Sequence, residues 1–144
     1  MTDDTLATKT TELTGFNTPH YYKHISGVEC VQISKWLSSS LGQAFQYVWR
    51  CDNKHDEPLE DLKKALHWVQ IEKSIDSHDC HVIPRGIGGK VMQLIEQVNQ
   101  KETDKDKAAL LHYIGFSGVL GINRACYLDA AINKLTAMIE KLES

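Results

Sequence analysis

The chain has 144 residues, 42% of them hydrophobic and 24% charged, with a net charge of −3 at pH 7. That length is enough to bury one core, and the acidic balance argues against a bulk nucleic-acid binder, which needs a basic excess to meet phosphate. No apolar run has bilayer-spanning length, and MTDDTLATKTTELTG has no basic segment followed by an apolar one, so no membrane partner and a cytoplasmic location are expected.

Residues 1–17 are rich in Thr and Asp without periodicity and predict a flexible arm; residues 18–144 predict a single helical domain. TPHYYKHISG is a loop dense in His, Tyr and Lys, bracketed by Pro19 and Gly27. A first helix is expected from Val28 to about Ser38, with Ile33, Trp36 and Leu37 on its apolar side. Ser38 to Ser40 then supplies an N-cap for a helix ending near Asn53. On that helix Leu41, Ala44, Phe45 and Val48 share one face, while Gln43, Tyr47, Arg50 and Lys54 line up opposite. The next helix is expected from Glu57 to Asp76, burying Leu59, Leu62, Ala65, Leu66 and Val69. Its other side carries Glu57, Asp61, Lys64 and Trp68 at the same spacing as the first polar stripe. A short connection makes the two helices antiparallel neighbours, so both stripes would border one cleft.

SHDCHVIPRGIGGK interrupts the pattern, and Val91, Leu94, Ile95 and Val98 mark a further helix. Two more are expected, Lys105 to about Phe116 and Ile122 to about Leu142, separated by GFSGVLG. In the last, Leu128, Ile132, Leu135, Ile139 and Leu142 alternate steps of four and three, the seam of a helical hairpin or of a subunit contact. No strand-like alternation is convincing. The expected fold is all-α, with five or six helices in a compact domain that forms a homo-oligomer.

Several motifs resolve into ordinary structure. The four cysteines form no C-x-x-C pair and read as small hydrophobes of a reducing compartment; His78, Cys80 and His81 lack a second ligand pair for zinc, so no metal site is expected. RGIGGKV fails as a phosphate loop, with Pro84 and Val91 where Gly and Ser or Thr are needed; what remains is a glycine-rich turn at which Arg85 and Lys90 flank free N–H groups. Gly115, Gly118 and Gly121 suggest close helix approach or a turn. Glu57, Glu60 and Asp61 in one helical turn are favoured by the macrodipole, and Mg²⁺ is the metal such carboxylates would hold. The cations Arg50, Lys54, Lys23, His20 and His24 make phosphate a natural ligand. Tyr47 and Trp68 offer aromatic faces for a base, and Gln43 and Gln46 offer paired hydrogen bonds to its edge. Asp61 would orient Arg50 or accept a ribose hydroxyl. A salt-bridge layer of Arg50 with Asp61 and Glu57 explains the same residue types without a ligand.

Across PHYYKHISGVECVQI, LGQAFQYVWRCDNK and EPLEDLKKALHWVQIE the chain resembles a family of small phage proteins described as nucleotide kinases or nucleotide-kinase-like. The resemblance covers Pro19 to Glu72 and includes His20, Tyr21, Glu29, Gly42, Tyr47, Arg50, Lys54, Asp61, Lys64, Ala65 and Trp68. It implies a core over residues 18–78, with 79–144 as additional helices, in the cytoplasm of a phage-infected bacterium. The activity implied is phosphoryl transfer between deoxynucleotides without a phosphate loop, with Arg50, Lys54 and His20 as catalytic residues. Tyr21, Lys23, His24, Gln43, Gln46, Tyr47, Asp61, Lys64 and Trp68 would then bind the nucleotide. Departures from the family pattern are Gln43 for Asn, Gln46 for Lys, and Cys51 and Asp52 for Ala and Gly. Losing that lysine keeps open a non-catalytic sponge that sequesters a defence signalling nucleotide; a protein that binds a host factor through the stripes is the remaining alternative.

Overall fold

The computed structural model describes residues 23–52 and 58–144, which form six helices: α1 Val31–Ser34, α2 Ser39–Arg50, α3 Pro58–Ser74, α4 Arg85–Lys101, α5 Lys105–Ser117 and α6 Arg124–Glu143. The fold is all-α as expected, and among the described residues the nearest thing to a strand is an isolated parallel bridge between Ile83 and Val119. None of the described helices is long and apolar enough to cross a membrane. The arm at 1–17, with His20, Tyr21, Lys54 and Glu57, lies outside the described residues.

Helix starts follow local chemistry. Ser38 Oγ accepts the Leu41 N–H at 3.2 Å, Asp104 Oδ1 accepts from Asp106 and Lys107 at 3.0 and 3.1 Å, and Asn123 Oδ1 accepts from Cys126 at 3.1 Å. Each satisfies N–H groups that a helix leaves without an internal partner. Pro58 opens α3 and Glu60 and Asp61 follow in its first turn, where the N-terminal dipole favours carboxylates.

Four helices close a ring in which every neighbour runs antiparallel. Arg50 at the end of α2 meets Asp61 at the start of α3, and Ser38 before α2 meets Glu72 near the end of α3. Lys63 reaches Glu143 and Lys73 reaches Asp129, setting α6 against α3. Asp106 with Lys134 sets α5 against α6, and Asp52 with Lys107 returns α5 to α2. Inside lie Leu41, Ala44, Phe45, Val48, Trp49, Leu62, Ala65, Val69, Leu110, Leu111, Ile114, Leu128, Ala131 and Leu135. Burial of such side chains contributes roughly 1.5–3 kcal/mol each. The seam of α6 is spent within the chain: Leu128, Leu135 and Ile139 are buried against α3 and α5, while Leu142 at the end is 48% exposed.

Two local expectations change. The helix sought over Val28–Ser38 contracts to Val31–Ser34, because hydrogen bonds from Trp36 to Ile33 and from Leu37 to Ser34 tighten its end into a turn of three-residue spacing. RGIGGK forms the first turns of α4 instead of a loop ahead of it. Gly88 of that stretch allows a close approach, since a Cβ there would stand 2.5 Å from Val119 Cγ1, and a Cβ on Gly115 of α5 would require the Ile95 side chain to shift. These contacts, with the Ile83–Val119 bridge, seat α4 on α5.

Candidate functional site at the C-terminal end of α2

The antiparallel register brings the two polar stripes side by side. Arg50 Nη2 lies 3.4 Å from Asp61 Oδ1, and both side chains are largely buried. The Arg50 guanidinium carbon sits 4.8 Å from the centre of the Tyr47 ring, and Lys64 Nζ approaches that ring at 5.6 Å. Cation–π attraction of this kind is worth about 0.5–1 kcal/mol at exposed sites. Lys64 is about half exposed and its contact with Glu60 is long, at 4.0 Å, so its ammonium stays available to solvent. Continuing the register, Gln43 falls opposite Trp68, whose half-buried ring contacts His67 at 5.5 Å. Gln46 turns the other way, its Nε2 donating to Ser34 Oγ at 3.5 Å.

Lys23 and His24 belong to a second cluster, on the α5 side of the same helix end. His24 Nδ1 accepts the Ser26 N–H at 3.0 Å, which leaves Nε2–H to donate to Glu102 Oε1 at 3.0 Å. Both ring nitrogens are therefore used within the chain, and the ring packs 5.4 Å from Trp49. Glu102 also accepts the Asp104 N–H at 3.1 Å and lies 3.7 Å from Lys107 Nζ. Burial pushes the Glu102 carboxyl up, but the Asp104 and His24 hydrogen bonds and the Lys107 charge outweigh it and hold the pKa below the usual value. Lys107 is only 2% exposed and donates to Asp52 Oδ1 at 2.9 Å. A cleft of about 400 Å³ opens here, lined by Lys23, His24, Asp52, Lys101, Glu102 and Lys107 among others.

Between the two clusters sits Cys51, the cap of α2. Burial, reinforced by the charge of Asp52, pushes its thiol up to about 12, and burial does the same for Cys30. Both stay protonated at neutral pH, which suits packing and not nucleophilic chemistry. His81 Nε2 approaches Trp36 O at 3.1 Å and Cys80 donates to Ser77 O. Among the described residues no group of three or more His, Cys, Asp or Glu side chains gathers as metal ligands.

The buried charges Lys107 and Glu72, and Arg124, which pairs with Glu72, were absent from the sequence expectations. Two of the three carry a signal: Lys107 occupies the apolar register of Leu110, Leu111 and Ile114, and Arg124 opens α6, where the dipole disfavours a cation. Comparison of the chain with protein-family models, with curated proteins and with solved structures finds no match.

Proposed function

We propose that this protein binds a nucleotide along the groove between α2 and α3 and acts as a kinase of deoxynucleoside monophosphates in a phage-infected bacterial cytoplasm. The observation that supports this reading is the grouping of Tyr47, Arg50, Asp61 and Lys64 from two helices, with one cation largely enclosed and one open to solvent. In this reading Lys64 meets the phosphate and Arg50, oriented by Asp61, neutralises charge as the terminal phosphoryl group of a phosphate donor passes to a monophosphate oxygen, its P–O bond to the donor breaking and the dephosphorylated donor leaving with the bridging oxygen. Tyr47 and Trp68 flank the base. Phosphoryl transfer demands mainly positioning and charge stabilisation, which fixed cations supply.

A second reading, a sponge that holds a nucleotide without turning it over, draws on two observations. Asp61 already offsets the Arg50 charge, and Gln46 faces Ser34 where the resembled family has a lysine. Both reduce the positive charge available to a transition state.

Calorimetry with each deoxynucleoside monophosphate, paired with mass-spectrometric detection of diphosphate, tests these readings. Binding is expected in the wild type and should weaken about tenfold in Lys64→Ala, the loss of one charge-assisted contact. Lys64 is exposed, so that variant keeps the fold. Diphosphate formation marks the kinase, and binding without product marks the sponge. Absence of any Lys64-sensitive nucleotide binding overturns both.

A further inference from the structure

The cleft on the α5 side of α2 holds an unequal distribution of charge. On its floor Lys107 is shared between Asp52 and Glu102, and Glu102 is additionally held by His24. These are the cleft's ion pairs among the described residues, and they leave the exposed rim lysines Lys23 and Lys101 without a carboxylate partner. The two rim ammoniums outweigh the single excess negative charge of the floor. Floor and rim also differ in what they can still accept: Glu102 is 8% exposed, whereas the Asp52 side chain is 38% exposed and only its Oδ1 is taken, by Lys107. A guest must therefore bring an anionic group for the rim and a hydrogen-bond donor for Asp52. A volume of about 400 Å³ lies within the range of small-molecule sites.

We propose that this cleft binds a phosphate monoester carried on a sugar, with Lys23 and Lys101 holding the phosphate and the second carboxylate oxygen of Asp52 accepting a sugar hydroxyl. Two lysines converging on one dianion give charge-assisted hydrogen bonds that a lone surface lysine does not. The buried Lys107 holds Asp52 by its hydrogen bond to Oδ1, which leaves the second carboxylate oxygen as an acceptor. The site is separate from the α2–α3 groove and does not depend on the function proposed for it. A nucleotide and a simple sugar phosphate share this chemistry, and the base distinguishes them.

The test is calorimetric titration of a deoxynucleoside monophosphate, ribose 5-phosphate, ribose and inorganic phosphate into the wild type, the Lys23→Ala/Lys101→Ala double variant and Lys64→Ala. Both cleft lysines are exposed, so unchanged thermal midpoints of the ligand-free variants are expected. The proposal expects a component of phosphate-ester binding that persists unchanged in Lys64→Ala, apart from the Lys64-sensitive binding expected of the groove, and that the double variant weakens at least about tenfold. Ribose lacks the phosphate and should not bind; inorganic phosphate lacks the hydroxyl arm and should bind more weakly than the ester. Measured in Lys64→Ala, preference for the nucleotide over ribose 5-phosphate identifies the guest as a nucleotide, and equal affinity identifies a sugar phosphate. If no phosphate ester shows binding sensitive to the double substitution, or inorganic phosphate binds as well as the ester, the proposal is overturned. Binding lost only in Lys64→Ala leaves the groove standing and removes the cleft.

Discussion

Helix α3 carries a buried carboxylate near each end, and their surroundings differ. Glu72, in the last turn, is fully buried and saturated: Ser38 Oγ donates at 2.7 Å, and Arg124 Nη2 donates at 3.0 Å to the carboxylate and at 2.7 Å to the Glu72 carbonyl. Asp61, in the first turn, holds Arg50 at 3.4 Å within a group that reaches solvent through Lys64. The helix dipole explains part of the contrast. It favours Asp61 and opposes Glu72, so Glu72 needs a cation and a hydroxyl to be tolerated at all. Burial of a charge alone therefore does not mark a functional site. What separates the two ends is whether polar groups remain accessible beside the pair.

The largest effect should come from breaking the saturated end. Arg124→Ala strands Glu72 in the core and is expected to cost about 3–5 kcal/mol in chemical denaturation, while Glu72→Gln/Arg124→Met loses much less because no charge is left unpaired. A loss for Arg124→Ala below about 1 kcal/mol would mean that Glu72 is solvated, and the contrast between the ends would dissolve. Lys107→Ala removes the shared cation of Asp52 and Glu102 and should cost about 1.5–3 kcal/mol, since Asp52 can turn to water. Arg50→Ala at the open end is expected at about 1–2 kcal/mol, its loss softened by the dipole that still favours Asp61.

The smallest effect concerns pH. His112 packs among Phe116, Tyr113 and Tyr127, with ring centres 4.0 Å from Phe116, and burial lowers its pKa despite the opposing charge of Glu96. The unfolded chain then binds a proton more readily than the native one. This contribution to stability is whole above the ordinary histidine value and is lost as pH falls from there toward the lowered native one. Denaturant midpoints measured from pH 8 to 5 should fall less in His112→Phe than in the wild type; parallel curves would contradict the assignment. Glu102 acts further down, its contribution holding above the ordinary carboxylate range and disappearing as pH falls through its depressed native value.

Periodicity carried much of the fold. Leu41, Ala44, Phe45 and Val48 are buried as their spacing implied, and Tyr47, Arg50, Asp61 and Lys64 form a group because two helices with matched stripes were joined by a short connection. Gly115 and Gly118 also lie where helices approach closely: a Cβ on Gly118 would stand 3.1 Å from Leu37 Cδ2. The His24 to Lys107 cluster was not legible, since its members stand far apart in sequence and no spacing rule links the loop at 23–26 to the corner between α4 and α5. Glu72 was hidden for another reason: a glutamate near a helix end looks solvated until Ser38 and Arg124 close over it.

By itself the sequence determined the ring helices α2, α3, α5 and α6, most of their apolar faces and the antiparallel pairing of α2 with α3, because these follow from local periodicity, caps and a short connection. Only the tertiary structure decided which charges are buried, which are saturated, and that a cleft opens beside Asp52 and Lys107. Those outcomes depend on side chains brought together from several helices, and desolvation, which sets their energy, exists only once the helices have packed.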